Sequence, residues 1–153
     1  MVSKVGWFLG AAMVCTSFGI GYVTAEQQSA RPAVVSKTQA GGAIFERPDT
    51  VRTVHDDGHV TLDVTSLMSS DGKFASGMYR SGRTRYDLSE GYGVDEFMYF
   101  LEGSVTLTST DGTRQVIQAG EALTIPKEWQ GVWETEGYTK FWVIYSADGS
   151  ALQ

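Results

Sequence analysis

The sequence predicts an all-β domain, a small antiparallel barrel or jelly roll behind an N-terminal signal segment. Three observations carry that prediction. Asp-Gly recurs at 57–58, 71–72, 111–112 and 148–149, and β-prone residues flank the first three pairs, the strongest short-range hairpin signal. Short runs alternate apolar and polar residues, as in residues 60–64 (Val-Thr-Leu-Asp-Val) and 104–108 (Ser-Val-Thr-Leu-Thr), which is the period of a half-buried strand. Eighteen glycines stand against three prolines in 153 residues, a turn-rich balance that short strands need and long helices do not.

Residues 1–25 read as a secretory signal. Lys4 is the only charge and precedes residues 5–23, an uncharged run ending in Val23-Thr24-Ala25, with small or modest residues where a signal peptidase reads. A retained membrane anchor is the competing reading of so long an apolar run. Glycines at 6, 10, 19 and 21, with Thr16 and Ser17, weaken it as a stable span. Removing 25 of 153 residues leaves 128, enough for one good core without staples. The mature chain keeps 11 of the 12 basic residues and all 18 acidic ones, a charge of -7, and it loses Cys15, the only cysteine. A chain without thiols suits an oxidising compartment, so a periplasmic or secreted location is expected.

Residues 26–42 are rich in Gln, Ser, Ala and Gly and read as an extended arm or linker. The folded domain is assigned to residues 43–148 and a short tail to 149–153. Residues 97–101 are nearly all apolar, which predicts a strand covered on both faces. Residues 115–117, 122–125 and 140–145 complete the strand set, and helix content is expected to be minimal. Many short strands at this spacing mean a sandwich or a small barrel.

Composition excludes several functions. A net charge of -6 without a basic run is a poor surface for phosphate backbones, so no nucleic-acid partner is expected. One cysteine rules out an intrachain disulfide framework and any Cys-rich metal site. Neither histidine stands in a recognisable nucleophile context, and residues 89–93 do not open a helix as a phosphate loop would.

Residues 95–108 (Asp-Glu-Phe-Met-Tyr-Phe-Leu-Glu-Gly-Ser-Val-Thr-Leu-Thr) and 119–134 (Ala-Gly-Glu-Ala-Leu-Thr-Ile-Pro-Lys-Glu-Trp-Gln-Gly-Val-Trp-Glu) resemble the two motifs of the cupin superfamily. Their style is similar to that of the (S)-ureidoglycine aminohydrolase-like cupins: Asp-Glu-Phe, a Leu-Glu-Gly turn, Ile-Pro, then Gly-x-Trp-Glu. Gly103 is expected at a tight turn between two strands, and Pro126 ends strand pairing at the barrel rim. Alternation puts Glu96, Met98 and Phe100 on one face and Phe97, Tyr99 and Leu101 on the other. The resemblance assigns the Glu96 face to the barrel interior.

The resemblance also implies a metal site of three histidines and a glutamate, and this chain departs from it. The glutamate falls at Glu96, seven residues before Gly103. The first two histidines would stand in residues 89–92, which hold none, and the second-motif histidine falls at Gly131. Three of the four ligands are therefore missing. Glu90 and Glu96 together make a weak transition-metal site. No metal and no cofactor is expected in the barrel, and the aminohydrolase activity does not transfer. Both histidines bracket a turn, His55-Asp56-Asp57-Gly58-His59. They read as exposed flanks of turn chemistry, with a surface zinc or copper site as the alternative.

A cupin interior without metal is still a concave pocket able to hold a small molecule through a few polar groups. The candidate ligand-binding set is Tyr79, Arg80, Glu96, Met98, Trp129, Gly131 and Trp133. Glu96 is the candidate acid or base, or else a structural carboxylate bonded to a neighbouring Tyr, Trp or Arg. Trp133 shares parity with Gly131, and Trp129 follows Pro126 on the rim. Arg80, Arg83 and Arg85 could anchor an anion or form a solvated strand face. The first reading is an exported cupin binding a small polar or anionic metabolite, as sensor, carrier, or metal-free isomerase or lyase. Its rivals are a metal-dependent cupin enzyme with atypical ligands and a structural protein. The resemblance implies a homodimer.

Overall fold

The computed structural model describes residues 31–152. The signal segment and the first part of the arm lie outside the described residues. Eight strands follow in order: β1 (Val51–Val54), β2 (Val60–Met68), β3 (Phe74–Ser81), β4 (Thr84–Leu88), β5 (Asp95–Ser109), β6 (Arg114–Gln118), β7 (Ala122–Ile125) and β8 (Gly131–Tyr145). All pair antiparallel, in the order β1-β2-β3-β8-β5-β6, with β4 added to β8 and β7 to β5. No helix among the described residues is long and apolar enough to cross a membrane.

Two 15-residue strands form the spine. β5 and β8 pair along their whole length. The far edge of β8 pairs first with β4 and then with β3, while the far edge of β5 takes β7 and then β6. Each long strand thus serves two neighbours and bends between them. Register slips between Phe100 and Glu102 and between Ser104 and Thr106 mark the bend, because an extra residue on one strand kinks the ladder and curls the sheet.

This corrects the reading of Gly103. No turn separates residues 97–101 from 104–108: they belong to one strand, and Gly103 lies inside it at φ +72°. A Cβ there would collide with the carbonyl oxygen of Gly137 on β8. The glycine is needed for close backbone approach at the bend rather than for a chain reversal. The Asp-Gly pairs at 57–58, 71–72 and 111–112 do close hairpins, joining β1 to β2, β2 to β3 and β5 to β6.

The arm is also not simply extended. Lys37–Ala40 forms one helical turn, because Ser36 and Gln39 make a reciprocal capping box that satisfies two otherwise unpaired donors. A 3₁₀ turn at Ala43–Glu46 then buries Ile44 against Val64 and Met78. This small core lies on one face of β2 and β3. The main core lies on the other, built from Met98, Phe100, Val105, Leu107, Ile117, Ile125, Trp133 and Tyr138.

Along β5 the alternation holds. Glu96, Met98 and Phe100 are buried. The opposite face is not covered as expected: Phe97 and Tyr99 remain 44% and 39% exposed.

Candidate functional site

A cavity of about 410 Å³ opens on the Glu96 face of the sheet. Tyr79 reaches it from β3, Tyr86 and Leu88 from β4, Glu96 from β5, and Trp133, Tyr138, Lys140, Trp142 and Ile144 from β8. Tyr92 enters from the loop before β5, and Asp63 and Thr65 from β2.

Its polar end is an ion pair. Lys140 Nζ donates to Glu96 Oε1 at 2.7 Å, and the two side chains are 6% and 5% exposed. The Tyr92 hydroxyl donates to Glu96 Oε2 at 2.5 Å, so both carboxylate oxygens are engaged. A second Lys140 hydrogen points at Met98 Sδ, 3.0 Å away. The rings of Tyr79, Trp133 and Tyr138 surround the ammonium at 5.5, 5.6 and 5.9 Å, which lets their negative faces stabilise the charge. Tyr92 stacks on Trp133 with centroids 6.0 Å apart, fixing the direction of its hydroxyl.

The remaining titratable groups respond to burial. The Tyr79 phenol is pushed up to about 12, chiefly by burial. Burial raises Tyr92 and Tyr138 well above the usual phenol range, with the Glu96 charge adding to it. These phenols are therefore neutral hydrogen-bond donors at any physiological pH. Burial also raises the Asp63 carboxyl, against the hydrogen bond from Trp142 Nε1 at 3.1 Å and the charge of Lys140.

The cavity brings together Tyr79, Glu96 and Trp133, with Met98 beneath the lysine. Arg80 is elsewhere. Being next to Tyr79 on a strand, it points to the other face, where it donates to Thr139 Oγ1 at 3.1 Å and lies 4.7 Å over the Phe45 ring. Trp129 also does not line the cavity: its indole donates to Ser109 Oγ at 3.0 Å and packs against Gly131. Gly131 is crowded, with Trp129 Cζ2 only 2.7 Å from where a Cβ would stand. Arg83 and Arg85 form exposed pairs with Glu136 and Glu134. Glu90 is exposed and takes no part in the cavity.

The sequence reading missed Lys140, Tyr92 and Asp63. The available signal for Lys140 was a lone cation inside the run Tyr-Thr-Lys-Phe-Trp-Val-Ile-Tyr at 138–145, where a lysine on a buried face calls for a carboxylate partner.

The two histidines meet as one of their readings allowed. Their rings stack at 4.0 Å, nearly parallel. His59 is buried rather than exposed: Nδ1 bonds the Asp57 carboxylate, and Nε2 lies 2.8 Å from the Tyr86 hydroxyl. His55 Nε2 lies 3.0 Å from Thr61 Oγ1. Both ring nitrogens of His59 and Nε2 of His55 thus already have partners. Among the described residues, no group of three His, Cys, Asp or Glu side chains could hold a metal ion. In the cavity the only carboxylate at the motif position already carries an ammonium, which repels a second cation. The residues present do not fit the metal that the motif glutamate implies.

Residues 69–140 match the EutQ-like cupin domain family. The EutQ protein of Clostridium difficile superposes with a TM-score of 0.53 at 20% identity, over 65% of this chain and 78% of that one. The chain has the cupin fold. Ectoine synthase from P. lautus is a second structural neighbour, with a TM-score of 0.52 at 15% identity, over 67% of this chain and 72% of that one. At these identities the likeness is one of fold. No curated protein matches this chain by sequence.

Proposed function

We propose that this cupin is exported and binds a small polar or anionic metabolite in its barrel without a metal, with Glu96 as the acid or base. The observation that carries the reading is the 2.7 Å contact between Lys140 Nζ and Glu96 Oε1. An internal cation sits on the carboxylate that would otherwise bind a metal ion. The cavity combines that polar end with an aromatic wall, the make-up of a small-molecule site. Neutral phenols of Tyr79 and Tyr138 supply donors to a ligand oxygen, and Trp133 supplies a flat face. A proton moved within the Lys140–Glu96–Tyr92 chain changes no net charge, which suits acid–base work in a site of low dielectric. The likeness to EutQ and ectoine synthase supports a cupin scaffold for small molecules and assigns neither activity.

Metal content of protein purified without chelator tests the first half. The expected result is far less than one metal per chain. One manganese, iron, nickel or zinc per chain, lost in Glu96→Ala, would favour a metal-dependent enzyme instead. Thermal shift against organic acids, nitrogenous metabolites and sugars tests the second half, because a ligand of the folded state raises the midpoint by mass action. The rise should vanish in Trp133→Ala. Export predicts a secreted chain whose N-terminus is Glu26.

A further inference from the structure

We propose that Lys140 is a covalent site, forming an imine with the carbonyl carbon of a small aldehyde or keto acid held in the cavity. The inference rests on the metal-free binding reading and gives it a substrate class. Among the described residues Lys140 is the only buried lysine; Lys37 and Lys127 are exposed and Lys73 is half-buried. A buried lysine is costly unless its charge is met. Here it is met inside a cavity wide enough for a small metabolite, with the amine on its wall. A nucleophilic lysine needs an apolar surrounding and a base that takes its proton. Tyr79, Trp133 and Tyr138 provide the first, and Glu96 Oε1 at 2.7 Å provides the second.

The steps balance. Glu96 takes one proton from the ammonium, leaving a neutral amine and a carboxylic acid. The nitrogen lone pair forms the N–C bond, and the carbonyl π pair moves to oxygen. That oxygen takes the proton from Glu96, and the nitrogen returns one to it, giving the carbinolamine. Glu96 then protonates the hydroxyl, which leaves as water while the nitrogen lone pair closes the C=N bond. The products are an iminium, water and the Glu96 carboxylate, with no oxidant or reductant. The iminium keeps the positive charge where the ammonium was, so the carboxylate and the aromatic rings remain matched to it. Tyr92 holds the second carboxylate oxygen throughout and positions the proton carrier.

The test is reductive trapping of the full chain with pyruvate, glyoxylate or glyceraldehyde and cyanoborohydride, read by intact mass and peptide mapping. The expected result is one adduct per chain at Lys140, forming at least ~10-fold faster than at Lys127. It should be lost in Lys140→Arg and slowed in Glu96→Gln. Mapping of the unsubstituted protein needs no variant to fold. Labelling confined to Lys37, Lys73 and Lys127 with all three probes overturns the proposal. A thermal shift with organic acids but no Lys140 adduct would overturn the covalent site and leave the binding reading standing. Neither shift nor adduct would overturn both.

Discussion

The cavity wall carries two hydrogen-bonded chains of titratable groups, and both contain a tyrosine. One is Lys140–Glu96–Tyr92; the other is Asp57–His59–Tyr86. Tyr92 and Tyr86 both line the cavity. The first chain is buried at Lys140 and Glu96 and half-buried at Tyr92. The second runs outwards on the β1–β2 hairpin, and its Asp57 side chain is 52% exposed. Position sets the energetics. Water replaces a lost partner at the exposed Asp57 more readily than at Glu96 or Lys140, which are 5% and 6% exposed. The carboxylates nearby respond in opposite directions: the His59 hydrogen bond holds Asp57 below the usual range, whereas burial lifts Asp63 above it.

The largest expected effect breaks the inner chain at one end. Lys140→Ala leaves Glu96 as an unpaired buried carboxylate and should cost about 3–5 kcal/mol in denaturant unfolding. Replacing both partners sharpens the point. The double variant Lys140→Met with Glu96→Leu removes the charges together and should recover most of that loss, because buried pairs are close to neutral against apolar residues of similar volume. A double variant no more stable than Lys140→Ala would mean that the pair is needed for packing rather than for charge matching.

Tyr92→Phe should have the next largest effect, about 1–3 kcal/mol, since it removes a hydrogen bond to a charged group. In the outer chain, His59→Ala removes the stack on His55 and the partner of Tyr86, and about 1–2 kcal/mol is expected. Equal losses in Tyr92→Phe and His59→Ala would remove the distinction between the two chains.

The smallest effects are in the pH dependence, where the two carboxylates should separate. The Asp57 contribution is present above the ordinary carboxylate value of about 3.9 and is lost as pH falls through its lowered folded value. The Asp63 contribution has the opposite sign: it is present below about 3.9 and is lost as pH rises through its raised folded value. Unfolding midpoints from pH 3 to 7 should therefore rise less steeply with pH in Asp57→Asn and more steeply in Asp63→Asn. Matching slopes in the two variants would overturn the assignment.

Much of the barrel was legible in the residues. Period-2 alternation put Glu96, Met98 and Phe100 on one face, the motif resemblance turned that face inward, and three Asp-Gly pairs marked three hairpins. The same rule, applied to Arg80 as strictly as to β5, separates it from Tyr79. Arg80 was grouped with the site as a possible anion anchor, but its place next to Tyr79 on a strand means the opposite face. Lys140 was hidden by an element boundary. As the first residue of a strand at 140–145 it was given no face; inside Gly131–Tyr145 it lies mid-strand, paired with Tyr79 on one side and Phe100 on the other.

Local chemistry alone therefore determined the strand class, the hairpins, the shared face of Glu96, Met98 and Phe100 and the absence of histidine from both motifs. These depend on residue spacing and on backbone preferences that act over a few positions. Only the tertiary structure decided which groups meet. Glu96 and Lys140 are 44 residues apart, and His59 and Tyr86 are 27 apart. Contacts at such separations depend on strand order and on where β5 and β8 bend. That bend depends on two backbones approaching too closely for a side chain at Gly103, and no local pattern records it.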